Sequence, residues 1–281
     1  MHALEDLEIG LMFWAGEDAR ATLRGVKKFG LRSGQLGFPG ELPLEGAPEK
    51  WREALNEEDF LAVTAVCSYV GENYADVPTV QGTVGLVPES TRAERIRRTK
   101  AVSDVAAQLG IKSIACHIGF VPHNGDESLY AKIRDVTREI CDYCGKNGQA
   151  FTLETGQEPA KVLLKFIEDV GRPNLKINFD PANMILYGTG DPIEALAVLG
   201  KLVISVHCKD GDWPPLDQPA ALGMERPLGE GSVDLPVFIS KLKEIGYTGI
   251  LSIEREQSDA KKREADIRKA VSLLRRLTGR S

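Results

Sequence analysis

Residues 202–210 read Leu-Val-Ile-Ser-Val-His-Cys-Lys-Asp. A run of β-branched residues with almost no polar break is the pattern of a strand buried on both faces, as a parallel sheet requires. This run ends abruptly in His207, Lys209 and Asp210. Three other stretches repeat the pattern with an acidic ending: 150–154 (Ala-Phe-Thr-Leu-Glu), 175–180 (Leu-Lys-Ile-Asn-Phe-Asp) and 249–254 (Gly-Ile-Leu-Ser-Ile-Glu). Two Glu, one Asp and one His, each closing a buried strand, make a hard-to-intermediate set of metal ligands.

Outward from these four, the chain alternates strand and helix. Further strands are expected at 8–14, 31–38, 61–68 and 112–117, and helices at 17–29, 49–55, 91–110, 126–146, 159–170, 233–245 and 259–277. Thr91 and Glu94 have the spacing of a capping box, and Asp191-Pro192 pairs an N-cap with a first-turn proline. Two long Gly- and Pro-containing connections, 69–90 and 211–231, are expected to wall the pocket and set substrate choice. Eight strands each followed by a helix, with no break in composition, predict an α/β chain forming one (β/α)8 TIM barrel domain over residues 1–281, near the ~250 residues typical of that fold. A doubly wound sheet competes less well, because Trp14-Ala-Gly-Glu stands where its Gly-rich fingerprint would follow the first strand.

Composition narrows the partners. A net charge of −6 opposes a polyanionic partner, so nucleic acid is not expected. Residues 1–8 hold three acidic side chains and no long apolar run, so neither a signal peptide nor a membrane span is expected, and a cytoplasmic location is the default. Of five Cys, Cys67, Cys116 and Cys208 fall in or beside strand runs. Cys141 and Cys144 form a lone Cys-x-x-Cys inside a helical pattern, which predicts buried thiols rather than a zinc or redox site.

Parallel barrel strands all finish at one rim, so Glu154, Asp180, His207 and Glu254 should converge where barrel enzymes keep their active sites. His117 closes the fourth strand and is a candidate substrate contact, as is Asn183. Lys209 and Asp210 should touch substrate or orient the imidazole, and Trp14 could form an apolar wall of the pocket or pack in the core. His123 and Glu158 are weighted toward exposed or capping roles.

At this point the chain resembles the xylose-isomerase-like barrels, the sugar phosphate isomerase/epimerase superfamily of ketose 3-epimerases and inosose isomerases. Leu-Glu-Thr at 153–155, Phe-Asp-Pro-Ala-Asn at 179–183, Val-His-Cys-Lys-Asp at 206–210, Leu-Gly-Glu-Gly at 228–231 and Ile-Glu-Arg-Glu at 253–256 carry the resemblance. It implies one divalent ion held by Glu154, Asp180, His207 and Glu254. Three carboxylates and an imidazole suit manganese, with magnesium, zinc or cobalt as alternatives. It further implies that Glu154 and Glu254 act as acid and base on a ketose or keto-polyol through an enediolate. Asn183 stands where the family often has His.

A lyase or dehydratase on the same scaffold is the first alternative, since an enediolate can also expel a β-substituent. An endonuclease IV-type nuclease is the second, opposed by the low His content and acidic charge. A small sugar or polyol is the expected partner; a homo-oligomer stays open, as do stereochemistry and phosphorylation state.

Overall fold

In the computed structural model, which describes residues 7–122, 127–218 and 220–279, the alternation closes into a barrel. Its elements are β1 (Ile9–Trp14), α1 (Ala19–Lys27), β2 (Ser33–Phe38), α2 (Ala47–Glu57), β3 (Leu61–Cys67), α3 (Val77–Thr83), α4 (Glu89–Gln108), β4 (Ser113–Cys116), α5 (Glu127–Lys146), β5 (Ala150–Glu154) and α6 (Ala160–Val170). There follow β6 (Leu175–Phe179), α7 (Pro181–Tyr187), α8 (Pro192–Leu199), β7 (Val203–Cys208), β8 (Asp210–Asp212), β9 (Met224–Arg226), α9 (Leu235–Glu244), β10 (Leu251–Ile253) and α10 (Ala260–Thr278). Eight parallel strands pair in the closed order β1-β10-β7-β6-β5-β4-β3-β2. The fold is the single-domain TIM barrel that the strand count predicts.

Alternation along the strands sorts the side chains. Leu36, Phe38, Phe151, Leu153, Ile177, Phe179, Leu251 and Ile253 face the helices and are buried. Phe179 stacks on Phe238 of α9 with ring centroids 6.0 Å apart. The inward positions divide into a small apolar cluster, Met12, Val66 and Ala115, and a set of buried polar residues, Gln35, Asn178 and Ser205. Barrel interiors are usually filled by bulky aliphatic side chains, so a polar layer marks what it supports.

Several local expectations change. Thr91 and Glu94 do not cap α4: the helix starts two residues before Thr91, behind Pro88, and the Thr91 hydroxyl has no hydrogen-bond partner. Proline fixes the extended backbone that an N-cap needs, so the start moves to it. The 69–90 connection contains α3, capped by Asp76, and the 211–231 connection contains the antiparallel pair β8–β9. Asp180 N-caps α7, a seven-residue helix absent from the sequence reading.

The rim loops are tied down from below and from the side. Arg92, Arg95 and Arg98, three apart and therefore on one face of α4, donate to loop carbonyls. Arg95 reaches Gly85 and Val70 at 2.7 and 3.1 Å, Arg98 reaches Pro39 and Leu42 at 2.6 and 2.8 Å, and Arg92 holds Leu86 at 2.8 Å. On the opposite side, Asp210 accepts the backbone N–H groups of Gly211, Gly229, Gly231 and Val233 at 2.9–3.0 Å. A Cβ on Gly231 would lie 2.3 Å from the Asp210 carboxylate, which is why glycine stands there. Removing the carboxylate strands buried donors, each costing about 1–3 kcal/mol. Asp210→Ala should therefore lower unfolding free energy by roughly 3 kcal/mol or more in urea titration, and a loss under about 1 kcal/mol would refute the clasp.

Candidate metal centre and its rim

Each of the four expected ligands stands at or just beyond the end of a barrel strand, and the fold brings them together. One oxygen from each of Glu154, Asp180 and Glu254 and one nitrogen of His207 all lie within 4.8 Å of one another. His207 Nδ1 is 3.2 Å from Glu154, 3.2 Å from Glu254 and 3.6 Å from Asp180. All four are buried or nearly so.

The polar layer beneath orients this set. His207 Nε2 lies 3.0 Å from Gln35 Oε1, where an Nε2–H donates and leaves Nδ1 toward the carboxylates. The Gln35 amide is turned that way because its Nε2 donates to Ser205 Oγ at 2.9 Å and Asn178 Oδ1 at 3.2 Å. Asn183 donates to Glu154 Oε1 at 3.1 Å, and its own N–H caps Asp180 Oδ1 at 2.9 Å. Gln35 and Asn178 went unnoticed in the sequence; their only signal there is an amide inside an otherwise apolar strand run.

Electrostatics explain what the cluster wants. Burial resists a charge on His207, but Glu254 and Glu154 outweigh it and raise its pKa well above the ordinary value. Burial likewise resists charge on Glu254, yet His207 and Lys209 hold it well below the carboxylate range. Asp180 goes the other way: burial raises it despite Lys209 and His207. Asp180 Oδ2 and His207 Nδ1 are buried with no hydrogen-bond partner. Unpaired buried polar atoms are costly, and two of them aimed at one point beside two more carboxylates fit a cation. A divalent ion together with Lys209 would balance three carboxylates and leave His207 neutral, the form that ligates. The residues therefore fit a divalent metal, with one donor atom from each of the four.

Around this centre the other expected residues sort themselves by contact. His117 Nε2 is 3.4 Å from Glu154 Oε1, its other nitrogen is 3.4 Å from Gln157 Nε2, and its ring sits 5.6 Å from that of Tyr74. Trp14 is 48% exposed, so it belongs to the mouth and not to the core. A Cβ at position 37 would lie 2.5 Å from the indole, so Gly37 is what lets the ring lie flat on β2. Lys209 is buried with Nζ 3.1 Å from both Glu254 and Glu256; of the two roles expected for it, contact with substrate or orienting the imidazole, the second has no contact behind it. Asp210 is a correction: both its oxygens are filled by the four loop N–H groups, so it fastens the chain and does not face a substrate. Of the two roles expected for Glu158, exposure does not hold, since it is buried, while it does cap backbone by accepting the Val121 N–H at 2.7 Å. His123 lies outside the described residues. Cys141 and Cys144 are buried in α5, where burial pushes their thiols up to about 12 and about 11.

The model of xylose isomerase-like TIM barrels matches residues 23–277. The chain belongs to that family. A xylose isomerase domain protein from Planctomyces limnophilus is 39% identical, with a TM-score of 0.91 over 97% of each chain. A 3-keto-D-glucoside 4-epimerase from E. coli has the same fold at 17% identity, TM-score 0.71, over 96% of this chain and 99% of its own. Inosose isomerase from Bacillus velezensis is 26% identical over 57% of this chain. The chain spans 59% of the length of that relative, and 59% of a Methanocaldococcus jannaschii protein that is also 26% identical. Among the described residues no helix is long and apolar enough to cross a membrane.

Two outcomes test the centre of this xylose isomerase-like barrel. Gln35→Leu removes the acceptor that fixes His207, and outer partners of a ligating His typically contribute 10- to 100-fold in metal affinity. Manganese titration by calorimetry should show a loss of about that size with the fold retained; unchanged affinity would separate Gln35 from the centre. The second concerns Glu158, whose carboxyl burial raises from 4.5 to about 8. A raised carboxyl contributes stability below about pH 4.5 that fades as pH climbs to about 8. Glu158→Gln stays neutral and can still accept from Val121. The thermal midpoint of wild type should thus fall relative to the variant across that window, whereas parallel profiles would place the carboxyl in a solvated setting.

Proposed function

We propose that this protein is a divalent-metal-dependent isomerase or epimerase acting on a ketose or keto-polyol. The observation that carries the reading is the pairing of two buried glutamates, Glu154 and Glu254, across one candidate metal centre, each with a different basic side chain beside it, His117 at Glu154 and Lys209 at Glu254. Glu154, Asp180, His207 and Glu254 would hold the metal, manganese by preference. When bound, such an ion polarises a carbonyl and its adjacent hydroxyl and makes the C–H between them more acidic.

The chain's own groups supply the rest. Within the cluster of side chains alone, and against burial, His207 and Lys209 hold Glu254 well below the ordinary carboxylate range; with His207 neutral as a ligand, Lys209 would still hold the carboxylate ionised, which suits a base. Burial raises the Glu154 carboxyl, but within the same cluster His117 and His207 outweigh it and lower it below its ordinary value. Asn183 steadies Glu154 Oε1, so the carboxylate keeps its aim while a proton comes or goes. His117, Tyr74 and Trp14 would stand around the sugar, and the 69–90 and 211–231 connections would set which sugar enters. Relatives of the same shape that act on keto-sugars, and an inosose isomerase among those similar in sequence, support this class.

Proton exchange in deuterated water tests it. With saturating manganese and a panel of ketoses and inososes, wild type should give product of unchanged mass apart from one deuterium at the reacting carbon. Glu154→Gln and Glu254→Gln should each lower turnover by roughly 100-fold or more, the range of a lost general base. One of them can keep washing deuterium into unreacted substrate. A product lighter by water would establish elimination instead, and near-normal turnover in either variant with metal bound would remove that glutamate from proton transfer.

A further inference from the structure

Glu256, two residues beyond the last ligand, has no part in the chemistry above, yet it is held as deliberately as the ligands are. Its backbone N–H donates to Glu225 Oε1 at 3.0 Å. Glu225 is itself fixed by Arg255, 2.5 Å away, and Arg255 is fixed on its other side by Asp266 of α10 at 3.0 Å. The Glu256 side chain is 62% exposed, and its Oε2 lies 3.1 Å from Lys209 Nζ. Among the described residues its other oxygen has no protein partner. Strand parity places Ser252 on the side of the barrel interior, and past the strand's end Glu254 and Glu256 both reach Lys209 Nζ. The charges of Glu256 and Glu154 also act together on the hydroxyls of Tyr74 and Tyr187, which puts all four groups around one mouth.

Lys209 completes the picture. An ammonium has three N–H donors. Glu254 takes one in a hydrogen bond at 3.1 Å, Glu256 sits at ion-pair distance, also 3.1 Å, and Asp180 Oδ2 at 3.9 Å is too far to take another, so at least one donor is left. A nearly buried ammonium with a donor in hand, beside a carboxylate oxygen with an acceptor in hand, is complementary to a hydroxyl group, which donates once and accepts twice.

We propose that Glu256 and Lys209 form a hydroxyl clamp beside the metal ligands, which binds one hydroxyl of the sugar or polyol away from the reacting carbon and so selects among stereoisomers. The clamp rests on the function proposed above for its ligand class, but on different atoms. Lys209 donates to the hydroxyl oxygen, and the hydroxyl proton goes to the outer oxygen of Glu256. The Glu256 backbone is anchored at Glu225 and its carboxylate is drawn toward Lys209, so part of the ordering a clamp needs is already in place. A sugar with that hydroxyl on the opposite face leaves both partners unpaired.

The test compares wild type with Glu256→Gln and Glu256→Ala, both at an exposed side chain and so expected to fold. The probes are D-fructose, D-tagatose and an inosose, each with its single-deoxy analogues, in the presence of manganese. Binding is read by saturation-transfer NMR, turnover by chromatography, and metal affinity by calorimetry. For the best-bound probe, Glu256→Ala should weaken binding by roughly 10- to 100-fold, the range for a hydrogen bond to a charged group, with kcat and metal affinity little changed. One deoxy analogue, lacking the clamped hydroxyl, should bind wild type and variant equally. Equal binding of every probe by wild type and variant overturns the clamp. A joint fall of kcat and metal affinity overturns it too, because Glu256 would then act through Lys209 on Glu254. Sugar binding that weakens in the variants without any turnover leaves the clamp standing and removes the proposed reaction. Failure of all probes to bind wild type overturns both.

Discussion

Three carboxylates and a histidine buried at one end of a barrel repel and attract each other strongly, and much of the surrounding structure answers to that. Charges taken out of water must be paired or they are costly. Lys209 is buried to meet Glu254, His117 lies beside Glu154, and Asn183 and Gln35 hold the remaining polar atoms in direction. Even so, one Asp180 oxygen and one His207 nitrogen lie within ion-pair distance of each other without a hydrogen bond. The polar layer of Gln35, Asn178 and Ser205 replaces aliphatic filling for the same reason: the imidazole needs a fixed acceptor beneath it. The barrel gives up some apolar packing there and gains a set of ligands that cannot easily turn away.

What could be read without coordinates follows the same logic. The four candidate ligands were legible because each closes a run that only a doubly buried strand would have, and four such runs in sequence force the barrel and its polarity. The helix boundaries were less so. The spacing of Thr91 and Glu94 is right for a cap, but Pro88 fixes the backbone earlier and wins. Short elements inside the long connections, α3, α7 and the β8–β9 pair, are too brief to leave a period.

Side-chain assignments failed where neighbours in sequence part company in space. Lys209 and Asp210 are adjacent, yet one reaches into the mouth and the other turns away to collect backbone N–H groups from residues up to 23 positions later. Gln35 and Asn178 are 143 positions apart and meet at one imidazole. No local pattern announces such a meeting; only closure of the barrel creates it.

The Asp210 clasp has a consequence for how this molecule can change over generations. By gripping Gly211 at one end and Gly229, Gly231 and Val233 at the other, it shuts the intervening segment into a loop whose two feet are anchored together. Substitutions and length changes near Trp213 and Leu216, which point into solvent, are then insulated from His207 and Lys209 just upstream. Such a segment behaves as an exchangeable cassette, in which new preferences can be tried while the strand that carries His207 keeps its place.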